Sequence, residues 1–286
     1  MKEFKSFFKT VDGNEGTLCH YNTRLDTYGC GCGNNCGYCY AKSLLDFRNL
    51  WNPVEPSVAD IEKIKKVIDK KLKRDDVVRL GGMTDCFQKS EKENHITYET
   101  IKLLNEKGVH YLIVTKNADL ISSDEYVSIL NKKLAHIQIS ITNTDEELGK
   151  RIEPGAPSYK VKIEGVEKLY SLGFDVSVRL SPYIPSFVDI NIINNIKCDK
   201  ILVEFLRVNN WIKKWLTNLK APIDLTEYSL RSNGYNHLPL EKKIELLNKI
   251  NGFKEVSVCE DVEEHWKYWK ENLNNNPNDC CNLRFI

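Results

Sequence analysis

From about residue 55 the chain alternates helix-like and strand-like segments, and that rhythm constrains its fold more than any other feature. Val58, Ile61, Ile64, Val67 and Ile68 recur at helical spacing over residues 57–72. Asp76-Val77-Val78-Arg79-Leu80 then reads as a short strand ending at Gly81-Gly82. Further helices are expected over 97–107, 119–132 and 158–172, with strands over 110–115, 135–141, 175–180 and 200–205. Gly173 stands where the helix over 158–172 needs a C-terminal cap. Strands separated by helices at this spacing imply right-handed βαβ units and a parallel sheet. With a first strand near Leu25–Tyr28, six strand–helix units are expected. A partial barrel, an open doubly wound sheet and a distorted full barrel all accommodate them.

In barrels the chemistry gathers at the C-terminal ends of the strands. Here those ends carry Gly81 to Asp85, Lys116, Ser140 to Asn143, Arg179 to Ser181, and Glu204. Strand ends are also polar simply because loops begin there. Beyond residue 220 the alternation fades into an amphipathic helix over 239–250, a strand-like Glu255–Val258 and a cysteine-rich end. The expected division is an N-terminal segment over 1–24, an α/β body over 25–220 and a C-terminal extension over 221–286.

Lysine and arginine total 41 against 40 acidic residues. That balance gives no broad basic field of the kind general nucleic-acid binding prefers, and leaves room for a local basic groove. No stretch approaches the roughly 18 apolar residues of a membrane span. The first nine residues lack the apolar run of a secretion signal, so a cytoplasmic location is expected. Structural disulfides are rare in such a reducing compartment. Ten cysteines therefore point to metal binding or redox work.

Residues 28–40 read Tyr-Gly-Cys-Gly-Cys-Gly-Asn-Asn-Cys-Gly-Tyr-Cys-Tyr, and Cys32, Cys36 and Cys39 form C-x3-C-x2-C. A compact glycine-rich loop can turn three thiolates toward one point. Thiolates hold four-iron clusters, and three of them leave one iron open for chemistry. The competing reading is a zinc site on Cys30, Cys32, Cys36 and Cys39. A zinc knuckle, however, explains nothing about the α/β body behind it.

The loop resembles the signature of the radical S-adenosylmethionine superfamily, C-x3-C-x-Φ-C, with Tyr38 as the aromatic Φ. The resemblance covers most of residues 25–205. It implies a partial (βα)6 TIM-like barrel of parallel strands with the cluster at its mouth, followed by the small cysteine-containing extension. It also implies a [4Fe-4S] cluster whose open iron chelates the amino and carboxylate groups of S-adenosylmethionine. One-electron reduction then breaks the S–C5′ bond, and the 5′-deoxyadenosyl radical takes hydrogen from a substrate. Gly81, Gly82 and Met83 match the strand end that meets the methionyl amino group in this superfamily. Ser140, Thr142, Arg179 and Ser181 fall where members place polar contacts to the cofactor's carboxylate and ribose. An electron donor such as a flavodoxin or ferredoxin is implied as partner.

Within the superfamily, Glu153-Pro154, Leu180-Ser-Pro-Tyr-Ile-Pro and Met83-Thr84-Asp85 look closest to the spore photoproduct lyase-like branch. The lyase itself carries a hydrogen-donating cysteine just before its Thr-Ser-Asp stretch, where this chain has Met83. Cys86, three residues later, is the candidate substitute. Thymine-dimer repair is therefore not carried over. A nucleic-acid base or lesion is the favoured substrate class, with a peptide or small metabolite as competitor.

Cys259, Cys280 and Cys281 lie within the last 28 residues. Adjacent cysteines bind one ion poorly but can ligate different irons, so an auxiliary cluster is one reading. Buried thiols acting as small hydrophobes, a redox pair and zinc are the others. Cys19 and Cys198 are read as structural. Trp211, Trp215, Trp266 and Trp269 sit at helical spacing, and core contact is expected of them.

Overall fold

The computed structural model describes residues 4–9, 19–21, 23–276 and 278–285; most of residues 1–22 of the expected N-terminal segment lie outside these. Seven strands run parallel in one sheet, in chain order: Thr23–Leu25, Val77–Leu80, His110–Thr115, Ala135–Ser140, Asp175–Tyr183, Lys200–Phe205 and Glu255–Val258. Phe7–Lys9 adds an antiparallel edge beside the first. The seventh parallel strand joins from beyond residue 220, pairing Glu255 with Lys200 and Val258 with Val203. Strand order follows chain order, as expected of successive βαβ units. Among the described residues the two outermost parallel strands do not pair, so the barrel is partial.

Side chains alternate across every strand. Val78, Leu80, Tyr111, Ile113, Ile137, Ile139, Val176 and Val178 point outward and join the main apolar core beneath the helices. Burying each such aliphatic side chain stabilises the fold by roughly 1.5–3 kcal/mol. The opposite face is mixed: Arg24, Arg79, Gln138, Ser140, Ser177 and Arg179 share it with Leu112, Val114 and Leu202. Arg24, Arg79, Val114, Ser140, Arg179 and Glu204 come from six strands and line one cavity, together with Cys259 at the end of the seventh. A sheet whose strands all line one cavity has to be curved around it.

The helices start and stop where local chemistry allows. Asp60 caps Ile61–Lys71 by accepting the Glu62 N–H at 2.9 Å, and Ser158 caps Tyr159–Ser171. Gly108 and Gly173, at φ 70° and 82°, end the helices before them. Residues 119–132 hold two short helices, Ala118–Ile121 and Asp124–Ile129, in place of one, because Ser123 begins a new cap. Trp266 and Trp269 are buried as expected, whereas Trp211 lies 43 % exposed on the outer face of Asn210–Asn218 and leaves the core reading. No helix of the described residues is long and apolar enough to cross a membrane.

Candidate active site

The cysteine loop follows the two-residue strand Tyr28–Gly29. Asn35 N–H donates to the Cys32 carbonyl at 3.0 Å and Cys39 N–H to the Cys36 carbonyl at 3.3 Å. These two tight turns, with Asn35 in the left-handed region at φ 43°, fold the three cysteines over one another. Gly37 N–H donates to the Ile152 carbonyl at 2.8 Å, and a Cβ there would stand 2.4 Å from Leu219 Cδ1. Cys39 caps Tyr40–Leu45, its Sγ accepting the Lys42 N–H at 3.4 Å. Cys32, Cys36 and Cys39 line the central cavity, and Cys30 does not.

Burial pushes the Cys32 thiol up to about 12, with the Asp85 carboxylate adding to the effect; burial likewise raises Cys36 and Cys39. Such thiols stay protonated until a cation replaces the proton. Among the described residues, the side chains whose ligand atoms all come within 4.8 Å of one another are His237, Glu260 and Asp261. Their oxygens are already engaged by Lys243 at 2.5 Å and Arg207 at 3.3 Å.

Two buried carboxylates lock the loop to the strand ends. Asp85 accepts from Asn34 Nδ2 at 3.0 Å, Thr115 Oγ1 at 2.7 Å and the Lys116 N–H at 2.8 Å. Glu153 accepts the Tyr38 hydroxyl, Thr142 Oγ1 at 2.5 Å and Lys162 Nζ at 2.6 Å. The signature aromatic Tyr38 thus lines the cavity with its ring while its hydroxyl is anchored behind it. Thr142 is fully buried in that anchor and is not among the residues that line the cavity.

Gly81, Gly82, Met83, Ser140, Arg179 and Ser181 all reach the cavity. Gly81 adopts φ 84°, and a Cβ on it would stand 2.8 Å from the Val114 carbonyl oxygen. The Gly82 and Met83 N–H groups both donate to Asp26, at 2.5 and 2.9 Å. Arg179 and Ser181 share Glu204 Oε2, at 2.5 and 2.7 Å, and Arg179 also donates to Gln138 at 2.7 Å. Cys86 is fully buried in the outer core and lines no part of the cavity.

Asp26, Arg24, Arg79 and Cys19 were not expected at the site. Arg24 and Arg79 stand opposite each other in parallel register, and the alternation of charge with apolar residues in Val77–Leu80 was the available signal. Cys259 and Cys280 line the cavity with Cys19, and Cys281 packs beside them.

A family model for the radical SAM superfamily matches residues 27–196. The chain belongs to the radical SAM superfamily. It is 29% identical over 205 residues to an uncharacterized protein of Methanocaldococcus jannaschii, a match covering 69% of this chain and 71% of that one. An uncharacterized Mycobacterium bovis protein is 25% identical over 167 residues, covering 56% of this chain and about half of that one, 49%. Spore photoproduct lyase complexed with dinucleoside spore photoproduct superposes with a TM-score of 0.62 at 14% identity, over 90% of this chain and 79% of the lyase. That likeness shows a shared fold. Radical SAM membership makes the chain a radical SAM enzyme, and the family implies an iron–sulfur cluster, S-adenosylmethionine and a source of electrons.

Proposed function

We propose that this chain holds a [4Fe-4S] cluster on Cys32, Cys36 and Cys39 and uses it to cleave S-adenosylmethionine, starting radical chemistry on a nucleic-acid base or lesion. The observation that carries this reading is the placement of these three thiols, without Cys30, on one cavity with Gly81, Gly82 and Met83. The donor set fits such a group. Its three sulfurs are buried on one wall, with no other metal-ligating side chain of the loop beside them in the cavity. Cys32, Cys36 and Cys39 would hold the cluster, which when bound would supply the one-electron reduction that cleaves S-adenosylmethionine.

The chain's own residues orient and enclose. Asp26 holds the Gly82 and Met83 N–H groups away from the cavity, which suits this turn to an ammonium group. Ser140, Arg179 and Ser181 supply polar contacts for a carboxylate and ribose hydroxyls. Arg24, Arg79, Arg179 and Arg207 line the cavity, Arg179 paired with Glu204 and Arg207 with Asp261. The fold shared with spore photoproduct lyase complexed with dinucleoside spore photoproduct supports a nucleic-acid base or lesion as the substrate class. Met83 at the donor position keeps dimer repair itself out of the proposal. In this reading residues 25–220 carry the chemistry, and a cytoplasmic flavodoxin or ferredoxin is the reductant. Cys259, Cys280 and Cys281 in the 221–286 extension are read as a second centre.

The test is anaerobic formation of 5′-deoxyadenosine from S-adenosylmethionine with dithionite. The reconstituted protein is expected to form it, and the Cys32→Ala, Cys36→Ala, Cys39→Ala triple variant is not. A four-iron protein that neither binds S-adenosylmethionine nor cleaves it, with or without oligonucleotide, overturns the reading.

A further inference from the structure

The second cysteine group is larger than the sequence shows. Cys259 ends the seventh strand, its N–H bonded to the Val203 carbonyl at 2.8 Å. Residues 279–285 then cross the N-terminal ends of the strands. Arg284 N–H donates to Asp175 Oδ2 at 2.9 Å, and Lys200 Nζ donates to the Asn282 carbonyl at 2.9 Å. Phe285 packs edge-on against His110, ring centroids 5.0 Å apart. This course carries Cys280 and Cys281 beneath the sheet, where Ser257 Oγ fixes the Cys280 carbonyl at 2.6 Å. Tyr21 donates to Asp279 Oδ2 at 2.7 Å and so brings Cys19 to the same place. Cys19 and Cys259 pack against Cys280 and Cys281 in one small cluster, and all four thiols are free.

The surroundings of these thiols are cationic. Arg79 and Arg24 lie within electrostatic reach of Cys19, and Arg179 within reach of Cys259 and Cys281. Arg79 Nε is buried without a hydrogen-bond partner. A polar atom left so costs free energy unless something accepts from it. Cys280 Sγ lies within hydrogen-bonding reach of both Cys259 and Cys281, so the sulfurs converge on one place. A four-iron cluster with four thiolates carries net negative charge, which Arg24 and Arg79 oppose beside the Glu204-paired Arg179.

We propose that Cys19, Cys259, Cys280 and Cys281 are the four ligands of a second [4Fe-4S] cluster. Each iron has its thiolate, so this cluster offers no open site to S-adenosylmethionine or substrate. Cys19 is what separates this proposal from one resting on the three C-terminal cysteines alone.

The experiment is iron and sulfide analysis of the full chain after anaerobic reconstitution, joined to electron paramagnetic resonance. Wild type is expected to hold about eight irons and the Cys32, Cys36, Cys39 triple variant about four. The reduced signal of that triple variant should not move when S-adenosylmethionine is added. Cys19→Ala should lose about four irons or show a three-iron signal when oxidised. The proposal is overturned by a triple variant that keeps its circular dichroism and binds no iron, by zinc in place of iron, or by a Cys19→Ala protein with both clusters intact. A wild type holding four irons that survive in the triple variant would support this site while refuting the one proposed for Cys32, Cys36 and Cys39.

Discussion

Lys162 Nζ lies 2.6 Å from Glu153 Oε2, with both side chains shut away from solvent. The same carboxylate holds Tyr38 and Thr142 and meets Lys116 Nζ at 3.8 Å, so the Lys162 pair is the shorter of two that steady the loop carrying Cys36 and Cys39. Removing one partner of a buried pair leaves an uncompensated charge and costs about 3–5 kcal/mol. Lys162→Met should therefore lower the apoprotein's Tm by roughly 5–10 °C and reduce iron uptake. The double variant Lys162→Met, Glu153→Gln should recover most of the loss in thermal melts. Equal melting of the single and double variants would mean the pair is not what steadies the loop.

Gly155 is the close partner of the loop on its other side. A Cβ on it would stand 1.9 Å from the Gly33 carbonyl oxygen, and backbone, not a flexible side-chain end, is in the way. Gly155→Ala is expected to displace residues 33–36 and cut the iron bound after reconstitution by more than half. The cost to stability should be about 1–3 kcal/mol, the range of an overpacked contact. Iron analysis beside far-ultraviolet circular dichroism separates loop displacement from unfolding.

Local signals made much of this legible. The strands over 110–115 and 200–205 read directly from apolar runs, and the triad read from its spacing, because each depends on neighbours in the chain. Cys19 did not, because 240 positions separate it from Cys259 and only the tail beneath the sheet unites them. Thr142 and Cys86 are placed among buried residues, and whether a strand-end side chain turns to the cavity or to the core depends on a one-residue step that spacing alone does not show. The seventh strand was seen as a strand but not as part of the sheet, since pairing with Lys200–Phe205 spans some fifty residues of intervening chain.

Cys86 provides a check on that geometry. It is fully buried against the outer core, so Cys86→Ala should cost about 1–2 kcal/mol through lost packing. Iron content and 5′-deoxyadenosine yield should stay within about twofold of wild type, since the thiol does not face the cavity. A tenfold loss of turnover in a variant of unchanged stability would place Cys86 at the reacting atoms after all.

Asp26 links the glycine turn to pH. Burial pushes its carboxyl up to about 6, although the N–H groups of Met83 and Gly82 favour the charged form. The folded protein therefore holds this proton more tightly than the unfolded chain, in which the group titrates near 3.8. Its contribution to stability is fully present below the unfolded value and is lost as pH rises through about 6. The span corresponds to about 3 kcal/mol. Asp26→Asn keeps an oxygen for one N–H and abolishes the titration. The unfolding free energy of wild type minus that of Asp26→Asn should thus fall between about pH 4 and pH 7 and level off above. Urea denaturation of the apoprotein across that range measures it. A difference that rises with pH would show the opposite balance, with the two N–H groups and the nearby Arg24 and Arg79 outweighing burial and holding Asp26 ionised in the folded state.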